Sequence, residues 1–314
     1  MRTCTAALIV LMSVLPAGCA NDAPLPLPGD YREQVEAFRA KRADEIIAPT
    51  GWAALVGLHF LSPGTHSIGG AAGSDVRLTG PSAPPALGTI TVTPGTAGIA
   101  GTARLDIEKG VEARRGRQAL NFLQPIWTDV ELKTGAKPEE YLTVCDMTMT
   151  LIRRGDKLAL RVWDAKAPSL TSLSKLDWMP IDESWRVQGR FEPHPAGRTM
   201  KILNVLDELI DMPNPGVAVF SIDGREHRLE ALLEGDEAKE LFFLFRDGTS
   251  GKTTYGAGRY LYTPLPQDGR VILDFNQAKN PPCTFTDFAT CPLPPKGNVL
   301  TVAVNAGELD HPHK

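Results

Sequence analysis

Residues 241–308, LFFLFRDGTSGKTTYGAGRYLYTPLPQDGRVILDFNQAKNPPCTFTDFATCPLPPKGNVLTVAVNAGE, set Gly, Pro, Asn and Asp between short apolar runs more densely than any other stretch of the chain. Glycine takes positive φ without penalty, and proline fixes φ and removes a backbone donor, so long helices are excluded here and short strands joined by turns remain. Leu241, Phe243 and Phe245 alternate with Phe242, Leu244 and Arg246. Both sets carry large apolar groups, which predicts a strand buried on both faces. A glycine-rich turn over 247–251 leads to a second strand over 253–255, interrupted at Gly256 and Gly258 and resumed at 259–262. Residues 270–276 run back to complete a three-stranded meander. Prolines 281, 282, 292, 294 and 295 then stop regular pairing, so 277–296 is expected as an ordered loop across the sheet, anchored by Phe285, Phe288 and Leu293. Residues 299–304 are read as the closing strand.

Polar groups able to do chemistry gather at these strand ends: Arg246, Asp247, Tyr255, Arg259, Asp274, Asn276, Asn280 and Cys283. A guanidinium held at a strand end, as at Arg259 or Arg246, can bind a carboxylate or phosphate through two donors, with Asn276 beside it. Asp274 in a desolvated pocket could serve as general base, Asn276 or Asn280 could donate to a developing oxyanion, and Tyr255 could supply a proton. The opposing reading makes Asp274 and Arg259 a structural ion pair and lets Asn276, Asn280 and Asn298 cap turns. No G-x-S-x-G elbow occurs. Gly251-Lys252-Thr253 lacks the earlier glycine and the following helix of a phosphate loop.

The motifs TYGAGRYLY, LDFNQAKNPPC and ATCPLPPKGNVL, with the terminal AGE, resemble a bacterial and archaeal family known as domain of unknown function 1684. GWAALVGLHFLSPGTHSIG, LIRRGDKLALRVWD and WMPID upstream extend that resemblance over roughly 31–308. The family carries no established activity, so the resemblance implies no chemistry.

Compartment is legible at the other end. Met1-Arg2, an apolar run over 6–15 and Leu15-Pro16-Ala17-Gly18-Cys19 resemble a bacterial lipoprotein signal with Cys19 as the lipidated residue. Pro16 stands where such signals usually carry Leu. Residues 1–18 are expected as signal peptide and 19–30 as a lipidated tether. Ala20 after the cysteine points to the outer membrane, facing the periplasm. Of the later cysteines, Cys283 and Cys291 share one proline-rich loop and can staple it with a disulfide, although thiols also fit; Cys145, in an apolar run, is read as a buried thiol. The cysteines lack zinc-site spacing, so no metal site is read from them, and the sequence does not specify a cofactor.

The chain has 314 residues, 42% of them hydrophobic, and a net charge of −4 with no basic stripe, which argues against nucleic-acid binding. Residues 31–47 carry Val35, Phe38, Ile46 and Ile47 among charged residues, predicting one amphipathic helix ended by Pro49. Strands are expected over 87–92, 98–107, 118–122, 130–132, 142–152 and 158–162. With the glycine-ended segment around 64–69, their pattern resembles a forkhead-associated β-sandwich. Gly70 occupies the position where phosphothreonine readers carry arginine, so only the architecture is implied. His59 and His66 are read as a core and a surface histidine rather than a site, and His311 and His313 as part of a polar tail.

The expected fold is therefore all-β with one N-terminal helix: a helix plus sandwich over 31–176, then a second antiparallel sandwich or barrel-like unit over 177–310, with a linker at 165–175 and strands over 185–192, 199–203, 216–222 and 226–232. Two functions follow. One is an envelope protein that binds a small molecule or peptide. The other is a small-molecule hydrolase or lyase using Asp274, Arg259, Tyr255 and Asn276 or Asn280.

Overall fold

The computed structural model describes residues 26–93, 102–111, 113–115, 118–119, 141–154, 157–173, 175–235 and 237–311. Expectations for the signal peptide, for Cys19, for most of 118–132 and for His313 lie outside the described residues. Helix α1 (Tyr31–Ile47) buries Tyr31, Val35, Arg42 and Ile46, one stripe at helical spacing in which Arg42 is the single polar member. Ala48, preceding Pro49, is extended and ends the helix, and Ile47 is exposed.

Ten strands follow: β1 (Leu55–Leu61), β2 (Gly64–Gly69), β3 (Val76–Arg77), β4 (Gly88–Thr93), β5 (Thr102–Ile107), β6 (Ala113–Arg115), β7 (Gln118–Ala119), β8 (Leu142–Val144), β9 (Met147–Arg154) and β10 (Lys157–Asp164). They form one sheet in the order β1-β10-β9-β8-β6-β7 and another in the order β3-β2-β4-β5. Ile68, Ile90 and Leu105 from the second sheet meet Val144, Met149, Leu160 and Val162 from the first in one apolar cluster. This is a two-sheet sandwich; the forkhead-associated likeness stays a reading of the sequence pattern. Cys145 is exposed, because the apolar run containing it is two strands folded back on each other. It sits in the β8–β9 turn at φ 53°. The linker contains a single helical turn, α2 (Pro168–Ser172).

The C-terminal strands are β11 (Arg186–Pro193), β12 (Thr199–Leu203), β13 (Leu209–Pro213), β14 (Gly216–Ile222), β15 (Arg225–Ala231), β16 (Glu240–Phe245), β17 (Arg259–Pro264) and β18 (Arg270–Asp274). One sheet runs β15-β14-β11-β18, with β12-β13 and β16-β17 as separate hairpins. β13, which sequence reasoning did not anticipate, pairs with β12 over its whole length. Leu232 bridges to Phe242, and Thr263 Oγ1 donates to the Ile272 carbonyl, so the strands run round toward a barrel-like closure. β16 is buried on both faces as its alternation predicts. Leu241, Phe243 and Phe245 enter a core with Leu261, Leu273 and Phe275, while Phe242 and Leu244 enter another with Ile202, Met212 and Tyr260. Gly258, at φ 108°, explains the interruption before β17: a Cβ there would stand 2.6 Å from the Phe245 carbonyl oxygen.

Three expectations are corrected. Residues 253–255 form a turn in which the amides of Lys252, Thr253 and Thr254 converge on the Thr249 carbonyl. The meander therefore does not form as read, and β18 pairs with β11. Residues 299–304 make no strand, because their backbone groups are claimed elsewhere. Leu300 donates to Arg246 and Val302 accepts from Gly248, while Val304 donates to Asp247 Oδ1 and accepts from Arg259. Finally, the proline-rich loop reaches beyond its own sheet. Phe285 packs with Ile46, Ala53 and Leu173, and Phe288 packs beside Ala54, Leu55 and Trp163, so the loop joins the C-terminal strands to α1 and the sandwich.

Candidate functional site

The residues singled out from sequence separate into distinct networks. Asp274 ends β18, where its Oδ1 accepts from Tyr31 Oη at 2.9 Å and from the Asn276 amide at 3.1 Å, and its Oδ2 accepts from Gln277 Nε2 at 3.0 Å. Asn276 is fully buried and exchanges hydrogen bonds with the Asp182 backbone, donating at 2.8 Å and accepting at 3.1 Å. Burial, then the neighbouring Asp274 charge, raises the Tyr31 phenol above its ordinary range. This group ties α1 to the end of β18 beside an open hollow of about 640 Å³ that Arg186 also lines.

Arg259 is elsewhere. It opens β17 opposite Phe245, and its side chain is wholly buried against Asp247, with Nη2–Oδ2 at 2.8 Å. Nη2 also donates to the Val304 carbonyl at 3.1 Å and Nη1 to the Ala306 carbonyl, while Nε is buried without a hydrogen-bond partner. Burial pulls its pKa down and Asp247 opposes that. The ion pair foreseen with Asp274 is therefore corrected to one with Asp247, and Arg259 has no solvent-facing donor for a ligand. Asn280 has its donors engaged, its amide and Nδ2 donating to the two oxygens of buried Glu308 at 3.0 and 3.2 Å, while its Oδ1 is buried without a partner. Arg42 Nη2 donates to the Asn280 carbonyl at 2.8 Å, and Arg42 Nε lies 3.6 Å from Glu308. Burial raises the Glu308 carboxyl, with Arg42 and Asn280 pulling it back down. Asn298 is buried between the backbones of Glu230 and Leu244. Arg246 is exposed, and its backbone bridges to the 298–300 segment.

Cys283 and Cys291 stand as free thiols in this structure, the alternative that the sequence held beside a disulfide. The Cys283 amide donates to Cys291 Sγ at 3.1 Å, and Tyr255 Oη lies 3.6 Å from Cys283 Sγ. Tyr255 thus faces a sulfur rather than Asp274. His59 Nε2 is buried without a hydrogen-bond partner, and burial lowers its pKa; His66 Nε2 sits 2.8 Å from the Ser62 carbonyl. Among the described residues no group of three or more His, Cys, Asp or Glu is placed to hold a metal ion.

A different cleft draws on four parts of the chain. Arg42 comes from α1, Arg154 from the end of β9, Arg161 from β10, and Lys279 from the start of the proline-rich loop; Trp52, Tyr260 and Tyr262 wall a cavity of about 370 Å³. Arg161 stacks over Trp52 with its guanidinium carbon 5.3 Å from the ring centre, and its Nε is buried without a hydrogen-bond partner. Burial, then the charge of Arg154, lowers its pKa to about 10. Arg154 is held by Thr290 Oγ1 at 3.0 Å and is lowered by burial too. Lys279 lies with Nζ 4.5 Å from the Tyr262 ring centre. Glu234 supplies the carboxylate on this lining, and it accepts the Tyr262 hydroxyl at 2.9 Å. Arg42 is paired with Glu308, so Arg154, Arg161 and Lys279 are left facing Glu234, which a neutral donor already engages.

The sequence carried a partial signal for this cleft. On β10, Leu158, Leu160 and Val162 belong to the sandwich core, and Arg161 lies on the opposite face with Ala159 and Trp163. Both neighbours are buried, so the face is covered, and the arginine between them is half-buried.

Residues 171–309 carry a domain of the family described as "Protein of unknown function (DUF1684)". The match begins downstream of the 51–69 and 151–164 motifs that the sequence reading had added to the resemblance. A solution NMR structure of an uncharacterized protein from Haloarcula marismortui is 32% identical; the alignment covers 44% of this chain and 78% of that one, with a TM-score of 0.38. No curated protein matches.

Proposed function

We propose that this protein binds a small anionic ligand in the cleft formed by Arg42, Arg154, Arg161 and Lys279, and that it does so tethered to the outer membrane through lipidated Cys19, facing the periplasm. The observation that carries the binding reading is Arg161, a desolvated guanidinium on an aromatic wall with no carboxylate within ion-pair distance among the described residues. A structural arginine is normally paired when buried, because an isolated charge is costly to remove from water. A ligand carboxylate or phosphate would supply the missing charge through two parallel hydrogen bonds. A cavity of about 370 Å³ suits a small molecule better than a peptide. The hydrolase or lyase alternative requires Asp274, Arg259, Tyr255 and the asparagines around one cleft, and they occupy separate networks.

Thermal unfolding in inorganic phosphate, sulfate or citrate, each against chloride at equal ionic strength, tests the binding. At least one anion should raise stability saturably, by about 2.7 kcal/mol at a hundred times its Kd. No response beyond chloride with any of the three would refute the reading. Tethering rests on the 15–19 segment and has its own test. Metabolic labelling with a fatty acid should mark the exported chain, and Cys19→Ser should abolish the label; a labelled serine variant, or an unlabelled wild type, would contradict it.

A further inference from the structure

The cleft contains one group that anion binding alone does not need. Lys279 is fixed by its backbone, donating to the Tyr260 carbonyl at 2.9 Å and accepting from the Tyr260 amide at 2.8 Å. Its amine lies against the Tyr262 ring and has no hydrogen bond or ion pair with any described residue. Burial, then the charge of Arg42, holds that amine below the ordinary lysine range, while Glu45, Glu234 and Glu308 pull the other way. Three carboxylates are thus near enough to be felt, yet none is within 4 Å. A lysine kept for structure would have taken one of them. An amine that lines the cleft beside other cations, with no hydrogen bond or ion pair of its own, gives up its proton more readily than a surface lysine, and the lone pair so released is a nucleophile.

Building on the anion-binding reading above, we propose that the cleft takes an organic anion bearing an aldehyde or ketone, and that Lys279 Nζ condenses with that carbonyl while Arg161 and Arg154 grip the anionic group. In the condensation Nζ forms a bond to the carbonyl carbon. The C–O bond breaks, both amine hydrogens leave with the oxygen as water, and a C=N bond remains. No oxidant or reductant is consumed. The arginines place the carbonyl against the lysine, since the same molecule carries the charge they bind.

The test uses the full chain and two probes, glyoxylate, which carries a carboxylate, and pyridoxal 5′-phosphate, which carries a phosphate. Each is incubated with the protein near neutral pH, the imine is reduced with cyanoborohydride, and labelled lysines are located by peptide mass spectrometry. Lys279 should carry at least about tenfold more adduct than the mean of the other lysines with one probe or both, and a saturating amount of whichever of phosphate, sulfate or citrate stabilises the protein should suppress it. Labelling by one probe alone assigns the ligand to the carboxylate or the phosphate class. Adduct spread evenly over the lysines, adduct absent from Lys279, or Lys279 labelling indifferent to that stabilising anion would overturn the proposal. Because the labelling is read on the wild-type chain, it does not depend on a variant that folds. If anions stabilise the protein and Lys279 is not labelled, condensation fails and binding stands; if no anion stabilises it, the binding reading itself has failed.

Discussion

Arg259→Met is expected to lower unfolding stability by about 3–5 kcal/mol, because it leaves the Asp247 carboxylate buried without its cation. Both side chains of the pair are completely shielded from solvent, with Nη2 and Oδ2 2.8 Å apart. The pair need not stabilise the fold relative to an apolar substitute; the cost comes from breaking it on one side. Arg259 also satisfies the carbonyls of Val304 and Ala306, and Asp247 Oδ1 accepts from the Thr249 amide at 2.8 Å and the Val304 amide at 3.2 Å. The variant therefore releases the irregular 299–306 segment as well as one charge. Urea unfolding of wild type and variant measures the loss, and a change below about 1 kcal/mol would show the pair to be solvated in solution. A double change, Arg259→Met with Asp247→Asn, should recover part of the loss, since no unpaired charge remains.

Arg161→Met is expected to separate binding from folding. Each hydrogen bond from a charged group contributes about 1.5–3 kcal/mol, so losing the two from Arg161 should weaken anion affinity by at least the roughly 10- to 150-fold that one is worth. Stability without ligand should hold or rise, because methionine retains contact with Trp52 and removes a half-buried charge that has no carboxylate partner. Arg161→Lys keeps the charge but not the planar fork, and should bind with intermediate affinity. Titration by calorimetry with whichever of phosphate, sulfate or citrate stabilises the wild type gives the affinity, and urea unfolding gives the stability. Undiminished affinity in Arg161→Met would remove Arg161 from the site. Lost affinity together with a large loss of stability would make the arginine structural.

The two arginines show where sequence reasoning succeeds and where it stops. Arg259 attracted attention because it sits at a strand start among glycines and tyrosines, and that placement is right. Its partner was wrong, because strand adjacency was inferred from chain order: β18 pairs with β11, which leaves Asp274 to Tyr31 and Arg259 to Asp247. Residues 299–304 look like a strand by composition, yet their backbone groups bond to Arg259, Asp247 and the 246–248 segment. β-propensity reports a surface that fits a sheet and does not create the neighbouring strand. Cys145 looked buried for a related reason, since an apolar run can be one strand or two, and the turn between them rests on a single positive φ.

From the sequence alone came the all-β class, the helix over Tyr31–Ile47, the two-faced burial of β16 and the proline-rich loop. Each rests on short-range causes: side-chain period, proline's missing donor and glycine's freedom at φ. Tertiary structure alone decided which charges meet. Arg42, Arg154, Arg161 and Lys279 lie on elements far apart in the chain, and no local rule relates them. They share a cleft because Phe285 and Phe288 pin the proline-rich loop against α1 and the sandwich, and burying those rings brings the four cations together.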